Sequence, residues 1–249
     1  MIKAINLTKK FKDFTAVDSI NLLVKPGEIY GFLGPNGAGK TTTIRMLTGT
    51  LKPTSGEVLI MDKSYKDYEL EIKRNIGVVP DEPKMYENLK GSEFIEFIIS
   101  VYKLDSKEVY NRFEEICEAF NIDYINNFIG DYSHGMKQKL MVASVLMRKP
   151  KVIFLDEPTV GLDAKATRIL KEILHKYKED GCCIFFTTHI LEIAEKMCDR
   201  IGIIDHGRII AEGTLEELRA LSKTGSTSLE DIFLELTGGE EIMDIIKDL

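Results

Sequence analysis

Gly34, Pro35, Asn36, Gly37, Ala38, Gly39, Lys40, Thr41, Thr42 and Thr43 bring glycines, one lysine and a run of hydroxyls into one short stretch. From Gly34 to Thr41 the spacing is G-x-x-x-x-G-K-T, which suits a phosphate chain. Glycines let the backbone curl so that successive N–H groups face phosphate oxygens. Lys40 places a mobile positive charge on the β- and γ-phosphates, and the Thr41 hydroxyl can ligate Mg²⁺. A helix starting near Lys40 adds its N-terminal partial charge. The plain alternative is a glycine-rich turn entering a helix. The apolar run from Glu28 to Leu33 reads as a buried strand just before the loop, which is the context a triphosphate site requires.

Further along, Val152, Ile153, Phe154 and Leu155 end in Asp156-Glu157. A buried parallel strand of this kind delivers two carboxylates to the sheet edge, where α/β sites lie. Asp156 would hold Mg²⁺ through water, and Glu157 would polarise the water that attacks a γ-phosphate. A strand ending in solvated acids is common; with a phosphate loop upstream, the chemical reading is the stronger. Thr187-Thr188-His189 ends the next strand in the same way, which predicts His189 beside the carboxylates and near the γ-phosphate. Ser133-His134-Gly135-Met136 opens a helix, either with a simple serine cap or as a second phosphate-binding helix start. Gly161-Leu162-Asp163 is a turn after the carboxylates.

The elements that must position these residues alternate between strand and helix. Lys3 to Leu7 and Ser19 to Val24 read as strands, and Pro26-Gly27 as the turn toward the loop strand. After the loop, a helix through Ile44, Met46 and Leu47 ends at Gly49, and short strands follow at 57–61 and 76–79. From Ser92 to Arg148 the pattern turns helical: Phe94, Phe97, Ile98 and Val101 share one face, then Val109, Phe113, Ile116 and Phe120. A third helix follows Ser133 and stops before Pro150. Strands at 152–155 and 183–187 then alternate with helices through Ile169 to Tyr177 and Ile190 to Cys198. A hairpin spans 201–211 across Asp205-His206-Gly207. Tail helices are expected at Leu215–Leu221, Leu229–Leu236 and Glu240–Leu249, with a polar hinge from Lys223 to Thr227. The reading is an α/β core holding an inserted helical block, with no internal repeat.

Composition sets the bounds. The 249 residues, 44% of them hydrophobic, allow one large domain or a core domain with a lobe. A net charge of −7 argues against an extended nucleic-acid surface. No leader-like apolar stretch opens the chain, and the apolar patch from Phe94 to Val101 is broken by Glu96, so a soluble protein is expected, with any membrane role falling to a partner. Cys117, Cys182, Cys183 and Cys198 form no CxxC pair and read as buried thiols in a reducing cytosol.

In this order, from about Lys3 to Glu212, these stations resemble the ATP-binding-cassette ATPases, the nucleotide-binding subunits of ABC transporters. Gly34 to Thr41 matches the family's Walker A motif and Val152 to Glu157 its Walker B motif with the following catalytic glutamate. Tyr132 to Met136 occupies the position of the LSGGQ signature. Gly161-Leu162-Asp163 resembles the D-loop and His189 the H-loop histidine. Phe11 lies where the family stacks an aromatic on adenine, with Phe14 its rival. Two departures stand out. The Q-loop glutamine, which reaches Mg²⁺ and faces the membrane partner, is Asp81 here. The signature keeps Ser133 and Gly135 but carries His134 and Met136.

The resemblance implies a P-loop NTPase (RecA-like) α/β fold with a β-rich N-terminal subdomain. It also implies an ATPase domain over residues 1–213, a helical subdomain at about 85–150 and a C-terminal helical extension at 214–249. The implied ligands are ATP, held by residues 34–42 with Phe11, Ser133, Gly135 and Asp163, and Mg²⁺, held by Thr41, Asp81 and Asp156. Glu157 and His189 are the implied catalytic pair. A second ATPase subunit would bring its phosphate loop to Ser133 and Gly135, head to tail. An integral membrane permease subunit would be the partner in export, with the chain cytoplasmic and peripheral on the inner face of the membrane. A soluble cassette ATPase acting in translation or DNA maintenance is the alternative, although such relatives usually carry two cassettes or a long coiled coil. A nucleotide kinase or GTPase would not need the ordered signature, carboxylate pair and histidine, and no Asn-Lys-x-Asp stretch occurs.

Overall fold

The computed structural model describes residues 1–222 and 228–238. In chain order, β1 (Ile2–Phe11) and β2 (Phe14–Val24) form a long hairpin, and β3 (Ile29–Leu33) leads into α1 (Lys40–Leu47). Then come β4 (Ser55–Ile60), the short β5 (Lys63–Ser64), α2 (Tyr65–Asn75) and β6 (Ile76–Val79). Three helices follow, α3 (Gly91–Tyr102), α4 (Ser106–Phe120) and α5 (His134–Leu146). The rest is β7 (Val152–Asp156), α6 (Ala164–Glu179), β8 (Cys183–Thr188), α7 (Leu191–Met197), β9 (Arg200–Asp205), β10 (Arg208–Gly213), α8 (Leu215–Leu221) and α9 (Leu229–Thr237).

Two sheets result. One is antiparallel in the order β2-β1-β4-β5; the other runs β10-β9-β3-β8-β7-β6. In the second, β9, β3, β8, β7 and β6 are parallel and β10 pairs antiparallel on the edge. Every residue of β3, β7 and β8 is buried, as expected of parallel strands covered on both faces. Their side chains alternate between two cores. Ile29, Ile153, Leu155, Ile184 and Phe186 face the helical side, with α3 to α6. Tyr30, Phe32, Val152, Phe154, Cys183 and Phe185 face α1 and the antiparallel sheet. A third cluster joins Leu33, Ile201 and Ile203 to Ala194, Leu218 and Leu229 of the last helices.

This arrangement decides where the strand ends lie. β8 sits between β3 and β7, with Leu33 opposite Thr188 and Asp156 opposite Thr187. The end of the loop strand, the end of the carboxylate strand and the Thr-Thr-His end therefore converge on one sheet edge.

The structure departs from the sequence reading in several places. β1 and β2 extend well beyond 3–7 and 19–24. Register shifts between Ala4 and Leu7, and left-handed backbone at Asn6 and Ser19, break the apolar alternation that would have revealed their length. α2 was not anticipated, because Ile72 is its one buried residue and its backbone is kinked at Tyr68. In α3 the packed face is Phe94, Ile95 and Ile99, whereas Phe97 and Val101 are exposed. The expected hinge at Lys223 to Thr227 and the helix at Glu240–Leu249 lie outside the described residues.

Phe185 tests the core. Its ring lies 5.8 Å from Tyr30, 5.3 Å from Phe32 and 6.0 Å from Phe154, centroid to centroid. Phe185→Ala should lower the unfolding free energy by about 3–5 kcal/mol in urea titrations, and Leu70→Ala, at a position 74% exposed on α2, by about 0.5 kcal/mol or less. Equal losses at the two positions would contradict this account of the core.

Candidate functional site

The loop from Gly34 to Gly39 connects the buried end of β3 to the first turn of α1. Its shape is enforced by close approach. A Cβ at Gly34 would collide with the Ile204 carbonyl, and one at Gly39, where φ is +112°, would lie 2.6 Å from the Ala16 carbonyl oxygen. Gly37 has open space around it. Pro35, Asn36 and Gly37 are exposed, Ala38 is buried, and Gly207 N–H donates to the Ala38 carbonyl at 3.0 Å. The turn between β9 and β10 thus buttresses the loop from behind. Gly39 caps α1 with no side-chain acceptor, and the first turn contains no acidic residue. The first amides of that helix are therefore available to an anion.

Lys40 is buried and its ammonium is held within the loop, donating to the carbonyls of Gly34 (2.7 Å) and Pro35 (3.2 Å). Its Nζ is 3.9 Å from Glu157 Oε1. Burial pulls the Lys40 pKa down, and the charges of Glu157, Asp156 and Asp81 pull it back up. Thr41 is exposed, Thr42 is half-buried, and Thr43 Oγ1 donates to the Gly39 carbonyl at 2.9 Å.

The carboxylates meet this lysine from the neighbouring strands. Asp156 and Glu157 are both buried. Thr187 Oγ1 donates to Asp156 Oδ1 at 2.6 Å, and Glu157 N–H donates to the Thr187 carbonyl at 3.2 Å. Glu157 adopts a left-handed backbone, φ +48°, sparsely populated for a residue with a side chain. Its Oε2 accepts from His189 N–H at 3.2 Å and lies 2.9 Å from His189 Nδ1. A carboxylate oxygen accepts, so His189 Nδ1 is the donor in this contact. Lys40, Glu157 and His189 form one line, with Asp156 and Thr187 beside it.

Thr187 was missed as a site residue in the sequence reading. The signal was a hydroxyl at the end of an otherwise apolar strand, but its target became visible only with the pairing of β7 and β8.

Asp81 is exposed, and its carboxyl is nonetheless pushed above the usual range. Partial burial is the largest cause, followed by the charges of Asp156, Glu157 and Glu82; His134 acts in the opposite direction. Asp81, Asp156 and Glu157 therefore share one field with Lys40. The carboxylates of Asp81 and Asp156 and the exposed Thr41 hydroxyl are hard oxygen donors of the kind Mg²⁺ takes. Phe11 and Phe14 are both exposed and pair across the tip of the β1–β2 hairpin, Lys9 Nζ lying 5.1 Å from the Phe11 ring centroid.

The start of α5 lies elsewhere. Ser133 caps it, its Oγ accepting from Met136 N–H at 3.3 Å. Gly135 is tight against the turn after the carboxylates: a Cβ there would be 2.5 Å from the Gly161 carbonyl oxygen, and the His134 ring covers Gly161 from the other side. Lys139 Nζ reaches Asp163 Oδ2 at 3.5 Å, while Asp163 Oδ1 caps α6 by accepting from Ala166 N–H at 2.7 Å. Among the described residues, no hydrogen bond or ion pair joins Ser133, His134, Gly135 or Met136 to residues 34–43 of the same chain.

Comparison with known proteins is consistent with this geometry. The family model described as ABC transporter matches residues 17–160. The chain is 38% identical over 240 residues to the probable multidrug ABC transporter ATP-binding protein YbhF of Escherichia coli (strain K12), covering 95% of this chain and 41% of the relative. It thus spans well under half the length of that protein. It is also 38% identical over 221 residues to the bacitracin transport ATP-binding protein BcrA of Bacillus licheniformis, covering 88% of this chain and 71% of the relative. Among solved structures, an ATP-binding subunit of an ABC transporter superposes with a TM-score of 0.90 at 30% identity, covering 95% of this chain and 99% of that one. A dimeric ATP-binding cassette in a post-hydrolysis state with ADP and Pi superposes with a TM-score of 0.78 at 29% identity, covering 86% and 98%.

The field at Asp81 has a pH signature. A carboxyl whose pKa is higher in the fold than in the unfolded chain opposes folding once it ionises, so its cost is absent in acid and present above the unfolded value of about 4. Asp81→Asn should raise the melting temperature of the ligand-free protein at pH 7, and the gain should vanish as the pH falls below about 4. Thermal unfolding followed across that range checks this; a melting temperature lowered by the substitution at pH 7 would contradict it.

Proposed function

The chain belongs to the ABC transporter family of ATPase cassettes, and on that premise we propose that it binds ATP with Mg²⁺, hydrolyses it and drives export through a separate integral membrane permease subunit. The observation that carries the hydrolytic part is Glu157, buried and held between the Lys40 ammonium and the His189 ring. In the ligand-free arrangement Lys40 is occupied by loop carbonyls. A triphosphate gives that ammonium a stronger partner and the α1 amides an anion to bind. Glu157 then takes the proton of the attacking water, and His189, at the neighbouring strand end, contacts the γ-phosphate. Thr41, Asp156 and Asp81 would hold Mg²⁺, which would supply positive charge to offset that of the triphosphate. Phe11 stacks on adenine.

Ser133 and Gly135 serve the nucleotide of a second subunit, head to tail, with Asp163 at the same junction. The absence of any bond from the α5 start to its own phosphate loop, among the described residues, supports this. So does the dimeric cassette among the structural neighbours. Export is favoured because relatives are named for multidrug and bacitracin transport. No helix among the described residues is long and apolar enough to cross a membrane, which fits a peripheral position on the inner face of the membrane beside a permease. Residues 1–213 form the ATPase domain in this reading, with a helical subdomain at about 85–150 and an extension at 214–249.

Glu157→Gln should reduce ATP hydrolysis by at least about 100-fold while ATP binding persists, so that an ATP-bound dimer accumulates in light scattering. Hydrolysis at the wild-type rate would overturn the assignment of Glu157. Isolation of the chain from detergent-solubilised membranes should recover an integral membrane protein with it; recovery of none would overturn the transport part.

A further inference from the structure

Gln138 lies on α5 and is fully buried. Its Nε2 donates to the Pro158 carbonyl at 3.2 Å. Its Oε1 is buried and has no hydrogen-bond partner among the described residues. The same is true of Thr159 Oγ1, on the very next residue after Pro158. An amide oxygen that can only accept and a hydroxyl that can donate are thus left unmade on adjoining sides of one contact. Burying such groups unpaired is costly, and native proteins rarely leave them so.

We propose that Gln138 and Thr159 are positioning residues that form a two-position latch between α5 and the carboxylate strand. In the first position Gln138 holds the Pro158 carbonyl, as seen here. In the second, the Thr159 hydroxyl also donates to Gln138 Oε1, and this position is favoured when a second subunit's nucleotide engages the α5 start. The proposal rests on the dimer reading given above. A ligand shifts such an equilibrium only through its own contacts with the two positions; here those contacts are at Ser133 and Gly135, and Gln138 on the same helix moves with them toward the Thr159 hydroxyl.

The path to the chemistry is short. Thr159 lies in a turn closed by Val160 N–H to the Glu157 carbonyl (3.1 Å) and Leu162 N–H to the Thr159 carbonyl (3.1 Å). Glu157 stands at the head of that turn with φ +48°, a backbone state held by its surroundings and responsive to small movements of them. Gly135 and Gly161 are in close contact at the same seam, so displacing the α5 start moves the turn as well. Engagement of Ser133 and Gly135 is thereby reported to Glu157 of the same chain.

Thr159→Val is isosteric and removes only the hydroxyl. In the nucleotide-free chain its melting temperature should equal or exceed that of wild type, because an unpaired buried group is lost. ATP turnover should fall about tenfold, the value of one hydrogen bond, and Thr159→Ser should restore it. In the Glu157→Gln background, Thr159→Val should also shrink the rise in melting temperature that ATP produces. A lower melting temperature for nucleotide-free Thr159→Val would overturn the latch, since the hydroxyl would then be bonded already. Turnover at the wild-type level would overturn it too. If wild type hydrolyses no ATP, the enzymatic reading fails by itself. The latch is then decided by the ATP-induced thermal shift: a smaller shift in Thr159→Val supports it and an equal one overturns it.

Discussion

Lys40, Asp156 and Glu157 are three charged side chains buried at one sheet edge, and charge removed from water must be partnered where it stands. That requirement organises the site. Lys40 is satisfied by two loop carbonyls and the nearby Glu157, Asp156 by the Thr187 hydroxyl, and Glu157 by the backbone and ring of His189. The partners come from the ends of three strands, the loop carbonyls after β3, Glu157 after β7, and Thr187 and His189 at the end of β8, so the cluster exists only while these strands keep their order and register. A slip of one residue in β8 would turn Thr187 away from Asp156, because successive side chains face opposite sides.

The antiparallel sheet contributes to the site without supplying any of these charges. The Ala16 carbonyl limits what can stand at Gly39, and the Gly207 turn fills the space behind Ala38. Arg208 ties that turn to Asp18 of β2 through Nε at 2.8 Å and Nη2 at 2.6 Å. The phosphate loop is therefore enclosed on its rear side by β2 and by the β9–β10 hairpin, and its exposed face is Pro35 to Gly37. Rigidity behind and openness in front suit a cradle that must hold its shape while a ligand enters.

What the sequence revealed follows from how local each signal is. Gly34, Gly39 and Lys40 were legible because only certain residue types tolerate that backbone and that chemistry. The buried strands β3, β7 and β8 were legible as apolar runs, and α4 through the spacing of Val109, Phe113, Ile116 and Phe120. α2 left no stripe because Ile72 alone is buried there, and the outer half of β1 was hidden by the bulge near Asn6. Thr187 shows only as a hydroxyl closing an apolar strand, and Gln138 has no local signature at all. One is defined by a strand neighbour 31 positions away and the other by a contact 20 positions away. Pattern reading finds residues that are special by type; residues that matter through a partner emerge with the tertiary pairing.

The central strand has one further consequence, which concerns how the chain is made. Both hydrogen-bonding neighbours of β3, the strands β8 and β9, follow it by more than 150 residues. Leu33, the last residue before the loop, also waits for Leu218 and Leu229 to complete its cluster. Long-range parallel pairing of this kind folds slowly and leaves apolar edges uncovered in the meantime. On the ribosome, then, an apolar strand leading into a glycine loop waits for more than 150 further residues before its sheet can form. The β1–β2 hairpin, whose contacts are local, can close at once. The apolar faces of β3 therefore stay uncovered until β8, β9 and the helices that carry Leu218 and Leu229 have been made.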